Sequence, residues 1–423
     1  MGKISEIGSG NMRIKKVDLL NYVAIIVLFL YLFFSNLSNH NIYSDIAILV
    51  LFFFSAFLIL FHRRMYFNKY FVFYLVFVIY QFLLILFGQA YDNNSTLKVV
   101  STLMINFSIL LLIYNVIIHV SNMEIILKVY AWTSIISLAL IMFLLRDSLF
   151  VGRLAHAYGE GSVSFYFLGK PIGISSNGIA FYAAVSALFC FYFLIKTKKI
   201  GYLVLILFLS FGCVMTGSRK GILVLVFYFA LAINYFYKGS PVKKAIIASL
   251  LFAFLYLIVM KIPALYTIVG SRIEAIVYKM MGKATSEGSI VARERYKAYA
   301  LRLIPKELFF GYGCGYFSHI YGNVTEINYL EMLMSGGIVG IFIYYLNYLV
   351  VAFRCWKNRL YLSDITKILI IVFISIFIYD IGSVTYSVRN VLIVVIMLLG
   401  SLYLDIRKRN LIKNNSNVGN VYE

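Results

Sequence analysis

The sequence predicts an all-α, polytopic integral membrane protein with about 12 transmembrane helices and one large periplasmic loop containing short helices. Three observations lead there. Of 423 residues, 62% are hydrophobic and 13% charged, too little polar surface to enclose a water-soluble core of this size. Apolar stretches approach the ~20 residues that a helix needs to cross a bilayer, where an outer-membrane barrel would show alternating segments of ~10. Only four prolines interrupt the chain, which suits long helices.

Basic Arg13, Lys15 and Lys16 precede the first apolar run, 19–34, and Phe34-Ser35-Asn36-Leu37 lacks a small-x-small cleavage site, so this run reads as an uncleaved helix. Further runs follow at 46–61, 71–87, 99–120, 125–145, 178–195, 200–215, 222–237, 245–259, 329–353, 368–379 and 391–404. The expected organisation is helices one to nine within 1–262, a periplasmic subdomain at 263–328, helices ten to twelve within 329–406 and a cytoplasmic tail at 407–423.

The formal charge of +21 would suggest nucleic acid in a soluble protein. Here most cations flank apolar runs, where they set orientation or meet anionic membrane lipid, and nucleic acid is not an expected partner. With both termini cytoplasmic, His62-Arg63-Arg64, Lys196, Lys198, Lys199, Lys243, Lys244 and the Arg407-Lys408-Arg409 tail all fall on that side. The exceptions are Arg153 with Lys170, Arg219-Lys220 and the long loop, where nine Lys and Arg lie from Lys261 to Lys306. Cations on the external side call for an anionic partner there.

The loop is too polar to span and too long for a turn, and it holds a helical stretch at 290–304 ended by Pro305. On that stretch Arg295 and Arg302 share one face, with Arg293 and Lys297 on roughly the opposite one. Gly311-Tyr312-Gly313-Cys314-Gly315-Tyr316 then supplies turns able to bring backbone close to a ligand, and leads to Glu326 at the mouth of the tenth run. Cys190, Cys213, Cys314 and Cys355 show no CxxC spacing and read as packing residues. No HExxH, P-loop, GxSxG or metal-ligand cluster is present, so neither metal nor cofactor is expected.

Ser218-Arg219-Lys220-Gly221 follows the seventh run at its external end, where a guanidinium at a low-dielectric boundary can clamp phosphate oxygens. The alternative is a snorkelling Arg219 that pairs with a lipid headgroup. Arg293, Arg295, Lys297 and Arg302 can offset charge on a pyrophosphate leaving group, or form a solvated helix face. Glu326, where the loop re-enters the membrane, is the candidate general base, with His319 in the same loop as its competitor. Glu331, about 140° further around the helix, reads as a structural ion-pair residue, and Asp380 with Arg389 as a pair. Gly336-Gly337 with Gly340 suggests close helix packing through small residues.

The order of these segments carries a resemblance. Thr216-Gly217-Ser218-Arg219-Lys220-Gly221, the external loop with Arg293, then Pro305 and Gly311 to Phe317, resembles the O-antigen ligase and polymerase family of membrane glycosyltransferases. Glu326-Ile327-Asn328-Tyr329-Leu330-Glu331-Met332-Leu333, followed by Gly336-Gly337 and Gly340, is similar to that family's HNxYLExL…GxxG segment. Arg153-Leu154 and Ser175-Ser176-Asn177-Gly178-Ile179-Ala180 resemble its RL…NPNxxA stretch.

The resemblance implies a metal-independent enzyme of the bacterial inner membrane, acting externally on glycans carried by undecaprenyl pyrophosphate, with inversion at the anomeric carbon. It implies anion-binding positions at Arg153, Arg219 and Arg293, Asn177 beside the donor, and a polysaccharide chain-length regulator as a partner. The family's histidine falls at Glu326 and its asparagine at Ile327, a departure that leans toward a polymerase over a ligase. The expected function is an O-antigen or capsular repeat-unit polymerase, with catalytic Glu326, Arg219 and Arg293. Lys220, Arg295, Arg302 and His319 are expected to bind substrate, and Tyr312, Tyr316 and Phe317 to stack sugar rings. The alternatives are a ligase acting on the lipid A core and, from a different class, a lipid-linked oligosaccharide flippase. A flippase calls for charges within its spans, where Lys128 and Asp380 are nearly alone, and for internal repeats, none of which is visible.

Overall fold

The computed structural model describes residues 5–37, 42–145, 162–167, 170–236, 239–261, 263, 266, 270–282 and 288–419. Five helices open the chain: α1 (Ser5–Leu37), α2 (Ile42–His62), α3 (Lys69–Leu86), α4 (Asn93–Val120) and α5 (Met123–Leu144). A two-stranded antiparallel hairpin, β1 (Ser162–Phe167) with β2 (Lys170–Ser175), delivers the chain to α6 (Ser176–Thr197). Then come α7 (Gly201–Met215), α8 (Arg219–Phe236) and α9 (Pro241–Lys261). Within the loop lie α10 (Ser271–Met280), α11 (Gly288–Leu303) and α12 (Tyr316–Tyr321), and the chain closes with α13 (Asn328–Lys357), α14 (Asp364–Asp380) and α15 (Arg389–Gly419).

Helices cover the apolar runs to within a residue at their ends, but among the described residues eight, fewer than the twelve expected, are long and apolar enough to cross a membrane: α1 to α6, α13 and α15. This is a multipass membrane protein. The hairpin departs from the all-α expectation; in Ser162–Phe167 the alternation of Ser with Val, Phe and Tyr is too short to stand out beside the apolar runs.

Burial separates the helices into layers. α6 and the first 24 residues of α15 are mostly buried inside the protein, whereas α2 leaves Phe52, Phe53 and Leu60 exposed, as a lipid-facing helix does. α6 packs on α5, α7 and α8, α15 on α4 and α14, and α13 on α3. Caps set several helix starts: the Asn122 side chain accepts from Ile125 N and the Ser363 side chain from Thr366 N. All four cysteines are free and buried, as packing residues are.

Gly336 and Gly340 let α13 pack closely on α3, since a Cβ there would meet Tyr80 Cε1 at 3.3 and 3.1 Å, whereas Gly337 acts differently. Gly337 sits at φ 61°, ψ −161°, and breaks the helix. The freed Ile338 and Val339 amides donate to the carbonyls of Leu308 and Phe309, at 2.9 and 3.2 Å. Tyr312 N and Gly313 N donate in turn to Met334 O and Ser335 O, and Tyr80 OH donates to Gly336 O at 2.7 Å. Residues 308–313 therefore thread beside the broken helix and exchange backbone hydrogen bonds with it. A Cβ at Gly337 would lie 2.2 Å from Phe309 O, so no other residue fits there.

Candidate active site

Three distant stretches of sequence meet at one end of the bundle. The hairpin places Asn177 in the first turn of α6, where its Oδ1 accepts from Ser218 Oγ at 2.7 Å and its carbonyl accepts from Tyr379 OH at 2.6 Å. Opposite it, Thr216 Oγ1 accepts from Ser218 N at 3.1 Å, Gly217 turns at φ 65°, and Ser218 Oγ accepts from Gly221 N at 3.3 Å. This side-chain-capped turn starts α8 at Arg219. A Cβ on Gly221 would sit 2.3 Å from Ala180 Cβ, so the glycine lets α8 approach α6 closely and sets Arg219 and Lys220 beside Asn177.

Lys220 precedes the apolar run 222–237, in the first turn of α8. Its side chain is 11% exposed, and its Nζ donates to Ser383 Oγ at 2.9 Å. Gly382 leaves room for it: a Cβ there would meet Lys220 Cε at 2.7 Å. Burial pushes the amine down to about 7; neighbouring Arg293 and Arg219 also lower it, while Glu326 opposes them.

Glu326 faces that amine. Its Oε2 accepts from Arg293 Nε at 3.2 Å and lies 3.9 Å from Lys220 Nζ. Its backbone is left-handed, φ 64°, a conformation that costs a non-glycine residue about 1–2 kcal/mol and has to be held by its neighbours. Glu331 provides the hold on one side, its Oε2 accepting from Thr325 N at 2.9 Å. On the other, Asn328 accepts from Thr385 N and Tyr386 N at 3.0 and 3.2 Å, and donates to Asp380 Oδ2 at 3.2 Å. Tyr345 OH and Thr385 Oγ1 also donate to Asp380. The segment that carries Gly382 and Ser383 is thereby tied to the start of α13.

The structure separates the cations of α11. Arg293 turns to the site, while Arg295 and Arg302 are exposed, Arg295 lying 5.5 Å over the Tyr296 ring. Arg219 is half-buried at the start of α8. Arg153 lies outside the described residues.

Several expectations are corrected. Tyr312 and Phe317 are buried in the loop's own core; Tyr312 stacks on Tyr316 at 4.6 Å and donates to Leu303 O, so packing has taken the ring faces meant for sugars. His319 Nδ1 lies 3.1 Å from Asp92 and does not join Glu326, because α12 turns it toward the start of α4. Glu331 makes no ion pair among the described residues and holds a backbone amide instead. Asp380 and Arg389 do not pair: Asp380 is engaged by Asn328, Tyr345 and Thr385, and Arg389 donates to Asn106 Oδ1 at 3.0 Å.

Ser383, Gly382 and Asn328 escaped notice as working residues. The small Gly382-Ser383 pair next to Asp380 was the signal available. No group of three or more His, Cys, Asp or Glu able to hold a metal occurs among the described residues.

Residues 203–345 match the family model described as O-Antigen ligase. That stretch, about a third of the chain, is consistent with an O-antigen ligase/polymerase family. The match runs from α7 to the middle of α13 and takes in Arg219, Lys220, Arg293 and Glu326, whereas Asn177, Asp380 and Ser383 lie outside it. It indicates an O-antigen ligase-type function, a membrane glycosyltransferase-like role on lipid-linked glycans. No curated protein matches the chain.

Proposed function

We propose that the O-antigen ligase family domain of this chain works as a surface-polysaccharide polymerase, transferring a growing glycan from undecaprenyl pyrophosphate to the terminal sugar of the next lipid-linked unit at the periplasmic face. The carrying observation is the convergence of Arg293 and Lys220, from separate elements, on the single carboxylate of Glu326. A carboxylate beside cations can take a proton from an acceptor hydroxyl while the cations receive a diphosphate, the two needs of glycosyl transfer from such a donor. Arg219, Arg293 and Lys220 hold the departing diphosphate, and Asn177, anchored through Ser218 and Tyr379, flanks it. Arg153 is assigned to the same anion site by resemblance. Glu326 is the base in place of His319, whose pairing with Asp92 draws it elsewhere. The left-handed backbone at Glu326 supports this role, since strain of that kind collects where a side chain must be aimed.

The family model's description favours a second reading, a ligase that delivers finished glycan to the lipid A core with the same donor chemistry. The polysaccharide banding pattern of a deletion strain separates them: cores bearing one repeat unit support the polymerase, cores bearing none the ligase. Complementation with Arg219→Ala, Arg293→Ala and Glu326→Gln tests the site in that strain. Full-length polysaccharide from Arg219→Ala at wild-type expression would refute the anion clamp.

A further inference from the structure

We propose that Lys220 is the final acceptor of the proton removed from the acceptor hydroxyl, receiving it from Glu326 as the new glycosidic bond forms. The inference rests on the transferase reading above and adds a relay residue to it.

A lysine meant only to hold phosphate gains most from an exposed, permanently charged ammonium. Lys220 is built otherwise. Its amine is enclosed, accommodated by Gly382, fixed by Ser383 and set 3.9 Å from the Glu326 carboxylate. A shift of about 1 Å closes that gap to hydrogen-bond distance. The groups facing it are Arg219 from its own helix, Arg293 from α11, Glu326 from the segment before α13, and the neutral Ser383 hydroxyl from the segment after α14. The two guanidiniums and the burial favour the free amine, which at neutral pH leaves a substantial fraction of the site ready to accept a proton.

The step balances. The electron pair of the acceptor O–H bond forms the bond to the anomeric carbon, and the bond from that carbon to the phosphate oxygen breaks, its pair leaving on the diphosphate. The proton passes from the hydroxyl to Glu326 and then to the Lys220 amine, and returns to solvent as the diphosphate departs. Positive charge thus appears on Lys220 at the moment negative charge appears on the leaving group, which is when it stabilises the transition state most.

The test is a pH–rate profile of the purified full chain in detergent. It uses undecaprenyl-pyrophosphate-linked oligosaccharide extracted from the producing cells as both donor and acceptor. Wild type should gain rate with rising pH through an acid limb near 7. Lys220→Arg keeps the charge and cannot accept the proton, so it should lose the limb and fall roughly 10²-fold in kcat with KM for the donor unchanged.

Lys220→His provides a second reading. A relay makes its rate rise with pH through a limb displaced downward, whereas a fixed-cation role makes its rate fall as the imidazole loses its proton. Wild-type kcat and limb in Lys220→Arg, or a falling profile in Lys220→His, would overturn the relay alone. A wild-type protein that joins no units would overturn the polymerase reading beneath it.

Discussion

The two ends of α6 show what distinguishes a site from a charged surface. At its C-terminal end Lys196 pairs with Glu124, both well exposed, and nearby Lys198 and Lys199 face outward. About 30 Å away along the helix, at its N-terminal end, the cations are differently arranged. There Lys220 is enclosed and shares one carboxylate with Arg293, with Arg219 close enough to disfavour its charge. Positive charge at the first end has water and lipid around it. At the second, convergence and burial make each charge depend on its neighbours, and such dependence is what catalysis uses.

The contrast can be broken in graded steps. Glu326→Gln keeps shape and removes the basic oxygen, so joining of lipid-linked units in detergent should fall by roughly 10²–10⁴-fold; a rate within a few-fold of wild type would dismiss Glu326 as base. Arg293→Ala should lower kcat/KM by roughly 10²-fold, while exposed Arg295→Ala and Arg302→Ala stay near wild type, because only Arg293 reaches the carboxylate. Equal losses in all three would mean that the whole helix face binds substrate.

Gly337→Ala forces a Cβ against Phe309 O and should destabilise by roughly 2–4 kcal/mol, read as a lowered thermal midpoint in detergent. Gly322→Ala, also at positive φ but facing open space, should cost about 1–2 kcal/mol. At the far end, Lys196→Ala should change stability by no more than about 0.5 kcal/mol and leave transfer intact, as an exposed ion pair allows.

Much of this was legible in the chain. Hydropathy located the helices because lipid imposes a length and a composition on each segment independently of its partners. The cations expected outside stood out because there they would run against the charge bias of a membrane protein. Glu326 was visible as a lone carboxylate at the loop's exit, and Pro305 marked the end of α11's apolar face near where the helix gives way to a short 3-10 turn. Helical spacing split Arg293 from Arg295 and Arg302 without saying which face would turn inward. Tyr312 and Phe317 misled for a related reason: an aromatic in a glycine-rich loop looks available until the loop is seen to fold on its own core.

The sequence by itself determined the membrane class, the placement of the helices and the segment that carries the family's signature, since these follow from local sums of hydropathy and charge. Tertiary structure alone decided that Lys220 is enclosed by Gly382 and Ser383, that Glu326 is shared by Lys220 and Arg293, and that a broken α13 admits residues 308–313. Those outcomes join positions tens to hundreds of residues apart. Their physical cause is the close approach of elements across the bundle, which no local window contains.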